Sequence, residues 1–138
     1  MYLSKRFVLL LVLPIVSLVS CDRDWFIMGE QSSINIPTIG NTNDSFGLNV
    51  QAKSFTYNRL FDVSFSSDSL VVGVVVVGYQ SGSGKLEIKD EDVTFYSVTV
   101  NNNMVIGDVT LKGNVPKKIS IVFTKFTGNV SVGVVAKQ

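Results

Sequence analysis

Histidine is absent from the 138 residues, cysteine occurs once and proline three times. Without imidazole there is no Ser-His or Cys-His nucleophile pair, and no zinc site of the kind that needs histidine. The lone Cys21 permits neither an internal disulfide nor a thiolate metal cluster. An excess of one charge is also missing, since 12 Lys and Arg stand against 11 Asp and Glu. Setting aside residues 1–20 leaves 118 residues, in which ten basic side chains face the same eleven acidic ones. That balance supplies no basic surface to neutralise phosphates, so nucleic acid is not expected as a partner. No G-x-S-x-G elbow occurs, and no pair among the eleven carboxylates is singled out for glycosidic chemistry. The expectation is a non-enzymatic protein with one domain-sized core.

What is present begins with residues 1–21, MYLSKRFVLLLVLPIVSLVSC. Lys5 and Arg6 precede an apolar run over residues 7–16, and small residues lead to Cys21. A basic start, a short apolar centre and small residues before a cut mark a secretory signal. The run is shorter than the roughly 20 apolar residues of a spanning helix, and it carries Pro14. Leu18-Val19-Ser20-Cys21 resembles the lipobox of bacterial lipoprotein signal peptides. The resemblance implies cleavage before Cys21, a diacylglycerol on its thiol and acylation of the new amino terminus. Each buried CH₂ contributes about 0.8 kcal/mol, so two or more chains anchor stably to a membrane. In enterobacterial lipoproteins an Asp in the place of Asp22 resembles an inner-membrane retention signal, a rule that differs between lineages. Residues 1–20 are therefore expected to be a signal peptide, 21–45 a lipid-anchored tether and 46–138 the folded domain.

Within the tether, Trp25-Phe26-Ile27-Met28 suits either the headgroup boundary or a fold-back onto the domain. Residues 30–45 are polar, with Pro37, Gly40, Asn41 and Asn43, and read as a linker or irregular strand. Ile34, Ile36 and Ile39 suggest that part of it docks along a sheet edge.

From Phe46 the apolar residues recur every second position, the spacing that lines one face of a strand. Phe46, Leu48, Val50 and Ala52 form one such set; Phe61, Val63 and Phe65 form another. Leu86 and Ile88 continue the pattern, and Val98 and Val100 resume it one residue out of phase with Val93 and Phe95. Val105, Val109 and Leu111 lie on a strand interrupted by Gly107, and Ile119, Ile121 and Phe123 precede a last strand with Val130, Val132 and Val134. Turns are predicted at Ser67-Asp68-Ser69, Asp90-Glu91-Asp92, Asn101-Asn102-Asn103 and Gly128-Asn129. Gly82-Ser83-Gly84-Lys85 is predicted to be a hairpin turn. A phosphate loop would need glycine where Tyr79 stands and Ser or Thr in place of Leu86. The fold expected is an all-β sandwich of seven to nine short strands, jelly-roll or immunoglobulin-like. Residues 48–136, through GSGKLEIKD and VTLKGNVPKKISIVFTKFTGNVSV, resemble accessory β-sandwich modules of secreted bacterial proteins, such as carbohydrate-binding and pre-peptidase C-terminal-type domains.

One stretch breaks the alternation. In residues 70–79, LVVGVVVVGY, Leu70, Val72, Val74 and Val76 point one way, while Val71, Val75, Val77 and Tyr79 point the other. A sheet with one wet face needs a cover over the second apolar set. Candidates are the Trp25-Met28 cluster, the Ile34-Ile39 stretch, a loop or another protein. Tyr57, Tyr79 and Tyr96 are the aromatics available to stack on a glycan. Asp90, Glu91 and Asp92 offer oxygens to calcium, with Asp108 or the Asn101-Asn103 turn as further ligands, although EF-hand spacing is lacking. Two functions follow. The chain is a cell-envelope lipoprotein presenting a non-catalytic domain to a protein or glycan, or a structural component that self-associates through the Val-rich strand.

Overall fold

The computed structural model describes residues 34–137. Cys21 with its lipobox, Asp22 and the Trp25-Met28 cluster lie outside the described residues. Six strands follow one another: β1 (Thr38–Thr42), β2 (Ser45–Asp62), β3 (Ser69–Asp90), β4 (Val93–Val100), β5 (Met104–Lys112) and β6 (Lys118–Ala136). Helix is absent among the described residues. The strands form one antiparallel sheet in the order β1-β2-β6-β3-β4, with β5 also paired to β3.

Fewer strands appear than the seven to nine expected, because β2, β3 and β6 are 18, 22 and 19 residues long. Each runs through a segment whose glycines or polar residues resemble a turn. The segment Gly82-Ser83-Gly84-Lys85 is not a hairpin turn but lies inside β3, and Gly128-Asn129 lies inside β6. What a local pattern reads as a reversal is a bulge held open by the neighbouring strand. Register slips between Ala52 and Tyr57 on β2 and between Val77 and Ser83 on β3, in both cases against the 123–129 segment of β6. Ser54 and Lys125 adopt positive φ there, at 49° and 48°. Gly82 has φ 85°, and a Cβ on it would come within 2.3 Å of the Lys125 carbonyl oxygen. The bulges line up into a crease across the sheet, as β-bulges bend and twist strands.

The crease folds the sheet over. A straight 18-residue strand spans about 55 Å, yet the Asn41 amide beside the start of β2 donates to the Asp62 carbonyl at its end, at 2.8 Å. The Asp44 N–H likewise donates to the Ser64 carbonyl at 2.8 Å. Asp44 also accepts from the Ser66 N–H at 2.6 Å and from its hydroxyl at 2.8 Å. One half of the sheet comprises β1, β5 and the 45–52, 69–77 and 128–136 parts of the long strands. The other comprises β4 with their remaining parts.

Both halves turn their alternating apolar residues into one core. Leu48, Leu70, Val72, Val74 and Val134 from the first half are fully buried, as are Ile88 and Ile119 from the second. Phe126 at the crease is also fully buried, its ring 5.2 Å from Phe123 and 5.8 Å from Tyr79. Such side chains stabilise by about 1.5–3 kcal/mol each on full burial. The phase change ahead of Val98 is a bulge at Phe95, since Ile88 pairs Tyr96 while Lys89 pairs Thr94. A second bulge at Gly107 and Asp108 turns Val105 outward, apart from the inward Val109 and Leu111.

The stretch 38–42, read as part of the tether, forms edge strand β1. Asn35 fastens the chain ahead of it, donating its N–H to the Gln51 carbonyl at 2.8 Å and accepting from the Lys53 N–H at 2.8 Å. Ile34, Ile36 and Ile39 remain exposed on this edge. They do not cover the Val-rich strand, because β2 and β6 separate β1 from β3.

Candidate functional site

The outward face of each half is set by the residues that alternate with the core. On the second half this face is charged. Lys85, Glu87 and Lys89 project from β3, with the Glu87 carboxylate 2.5 Å from Lys85 Nζ and 3.0 Å from Lys89 Nζ. Hydrogen bonds from those two ammonium groups hold the Glu87 carboxyl below the usual carboxylate range. Lys118 pairs in register with both Lys89 and Asp62. A shallow hollow of about 210 Å³ opens here, lined by Ser83, Gly84, Lys85, Thr99, Val122 and Thr124. Lys85 is its only ionisable group, so it lacks the carboxylate pair of a glycosidase.

The outward face of the first half is different. Its middle is a row of glycines in mutual register: Gly40 pairs Gly47, Gly47 pairs Gly133, and Gly133 pairs Gly73. Residues directly paired in a sheet point to the same side, so four adjacent strands present bare backbone in one line. Val135 and Val71 flank the row on one side, in register with Ser45. Val75 and Ser131 flank it on the other, continuing to Val105 on β5 and Asn49 on β2. Ser131 and Asn49 hydrogen-bond to each other through their side chains. Val77, Asn129 and Gln51 form the next row. The face carries no charged side chain between the Ser45 and Gln51 rows, save Asp108 in the β5 bulge.

Of the residues expected on the second face of the Val-rich strand, Val71, Val75 and Val77 project here. Val75 is 37% exposed and Val77 50%. Tyr79 does not join them, because the crease redirects the chain after Val77. Its N–H donates to Asn103 Oδ1 at 2.8 Å, and its hydroxyl donates to the Gly82 carbonyl at 2.9 Å. Nor do the tyrosines make one stacking surface. Tyr57 stacks on Phe55, with centroids 5.3 Å apart. Tyr96 on β4 is separated from Tyr57 on β2 by β6 and β3; it is half-buried, and burial pushes its phenol above the ordinary value. The glycine row itself escapes sequence reading, because only the strand register brings these four residues together.

The acidic turn holds a cation of the protein's own. Lys117 Nζ lies 3.0 Å from Asp90 Oδ1 and 3.1 Å from Glu91 Oε1, and these contacts raise the Lys117 pKa. Asp92 is exposed beside them. Among the described residues no three acidic, cysteine or histidine side chains gather in a way that would hold a metal ion. Asn103, considered as a further calcium ligand, is engaged by Tyr79 instead.

No protein-family model matches the chain, and a search of curated proteins finds no significant relative.

Proposed function

We propose that this chain is a lipoprotein of the bacterial cell envelope, acylated at Cys21, that presents a non-catalytic β-domain for docking to another protein surface. The observation that carries the docking role is the glycine-centred face, with Asp108 at its β5 edge as its one charge and Val71, Val75, Val77 and Val105 around the glycines. Large apolar areas on a folded surface mark interaction sites, and interface centres are depleted of charge. A glycan surface is less well supported, since the face bears no aromatic ring. In this reading the folded sheet is a two-layer sandwich of the jelly-roll or immunoglobulin-like kind. The contacts of Asn41 with Asp62 and Asp44 with Ser66, which bring opposite strand ends together, support it.

Mass spectrometry of the membrane fraction tests the anchor. The expected product begins at Cys21 and carries diacylglycerol and an amide-linked acyl chain. A Cys21→Ser protein is expected to lose the acyl groups; one that stays acylated overturns the assignment.

A further inference from the structure

The glycine row has no purpose inside the domain. Gly40, Gly47, Gly73 and Gly133 do not have positive φ, unlike Gly82 and Gly128 in the crease. A Cβ added at Gly40 or Gly133 would meet nothing within 4 Å. At Gly47 and Gly73 it would make only ordinary contacts, at 3.8 and 3.7 Å. Glycine within a strand costs roughly 0.5–1 kcal/mol relative to alanine. It marks places where a ligand or another backbone approaches closely. Four in one row, unexplained by the domain's own packing, point to something outside it.

We propose that the occupant is a second copy of this chain, packed face to face so that valines of each copy fill the glycine row of the other. This deepens the docking role proposed above and rests on that reading. Three features select a like partner. A twofold contact places the same surface against itself, so any charge near the axis meets its like. The one charge of this face, Asp108, sits on edge strand β5, two strands from Gly133, so an axis between Gly47 and Gly133 keeps its two copies apart. The face also holds both halves of the match, since bare backbone at Gly47 and Gly133 lies one row from the exposed Val75 and Val105. A heterologous partner would have to supply the complement, and nothing in the charge pattern selects one.

The area meets the requirement. Five strands about 4.8 Å apart and six residues of about 3.4 Å rise give an outline of roughly 24 by 20 Å. That is about 500 Å² per copy and about 1,000 Å² for the pair, the lower bound for a specific interface. A contact of this size is weak in dilute solution and is favoured by confinement on a surface, which raises effective concentration.

The test uses the full chain in the membranes of the cells that express it. Val75→Cys places a thiol on the proposed interface, and Thr99→Cys places one on the charged outer face. Each is treated with a short bifunctional thiol reagent. The Val75→Cys protein is expected to yield a species of twice the chain mass, at least tenfold more than Thr99→Cys. Adding Gly133→Arg should lower that yield at least tenfold without lowering the melting temperature, because the side chain starts into open space. The second-copy assignment is overturned by equal yields from the two positions, or by a dimer that survives Gly133→Arg. A Val75→Cys product of another mass also overturns it, while leaving the docking role standing. Absence of any Val75→Cys product in a protein that melts normally overturns both. The wild-type chain reports separately on the anchor: its only thiol is Cys21, so cross-linking of wild type strikes the acylation and not the face.

Discussion

The two outward faces come from the same three long strands, divided by one crease. On one side of it, β3 places Lys85, Glu87 and Lys89 outward; on the other, it places Val71, Gly73, Val75 and Val77. The inward residues of both halves are alike, so the core does not account for the contrast. The charged face suits water, and its ion pairs blunt association. The other face lacks such side chains, and its glycines forgo the packing that larger residues would offer. The glycines themselves divide in the same way. At the crease, Gly82 is demanded by a positive φ and the approach of Lys125; on the face, Gly133 is demanded by nothing within the domain.

The strongest challenge to a shared core is Phe126→Ala. Truncating a buried phenylalanine costs about 3–5 kcal/mol, and the loss should appear in a single urea transition followed by both fluorescence and circular dichroism. Two separate transitions would mean that the halves fold independently. The contrast between glycines is sharpened by opposite signs. Gly82→Ala should destabilise by about 2–3 kcal/mol through backbone strain and steric conflict. Gly133→Ala should stabilise the isolated domain by about 0.5–1 kcal/mol. Equal effects in chemical denaturation would erase the distinction.

Acid probes the clasp between the halves. The Ser66 N–H and hydroxyl hold the Asp44 carboxyl below its ordinary value. A lowered folded pKa means that this contribution is complete above the unfolded carboxylate range, near pH 4. It fades as pH falls through the folded value. Asp44→Asn should therefore flatten the fall in denaturation midpoint below about pH 4, and an unchanged acid slope would remove Asp44 from the account. The smallest effect is expected on the charged face. Lys85→Ala should change stability by less than about 1 kcal/mol, because exposed ion pairs contribute little.

Much of the strand pattern was open to reading because burial of one face imposes a period of two. Leu70, Val72, Val74 and Val76 are all core residues, and the turns at Asp90-Glu91-Asp92 and Asn101-Asn102-Asn103 end strands as expected. The phase shift ahead of Val98 is visible in the sequence and proves to be a bulge. The strand count was not legible for a related reason. A turn and a bulge use the same residues, since both need glycine or a small polar side chain at positive φ. Only the partner strand decides whether Gly82 reverses the chain or bends it. Tyr79 shows the same limit: alternation aligns it with Val75 and Val77, while the crease rotates it onto Phe126.

By itself, the sequence determined the all-β class, the inward face of much of β2, β3 and β6, the absence of histidine and thiol chemistry beyond Cys21, and the excess of apolar residues in 70–79. These depend on residue type and local spacing. The tertiary structure alone decided that β3 is one bent strand, that Lys117 occupies the acidic turn, and that Gly40, Gly47, Gly133 and Gly73 share a line. Those facts depend on register between residues as far apart as Gly47 and Gly133. Register is chosen by the fit of whole strands to one core, and no local stretch contains it.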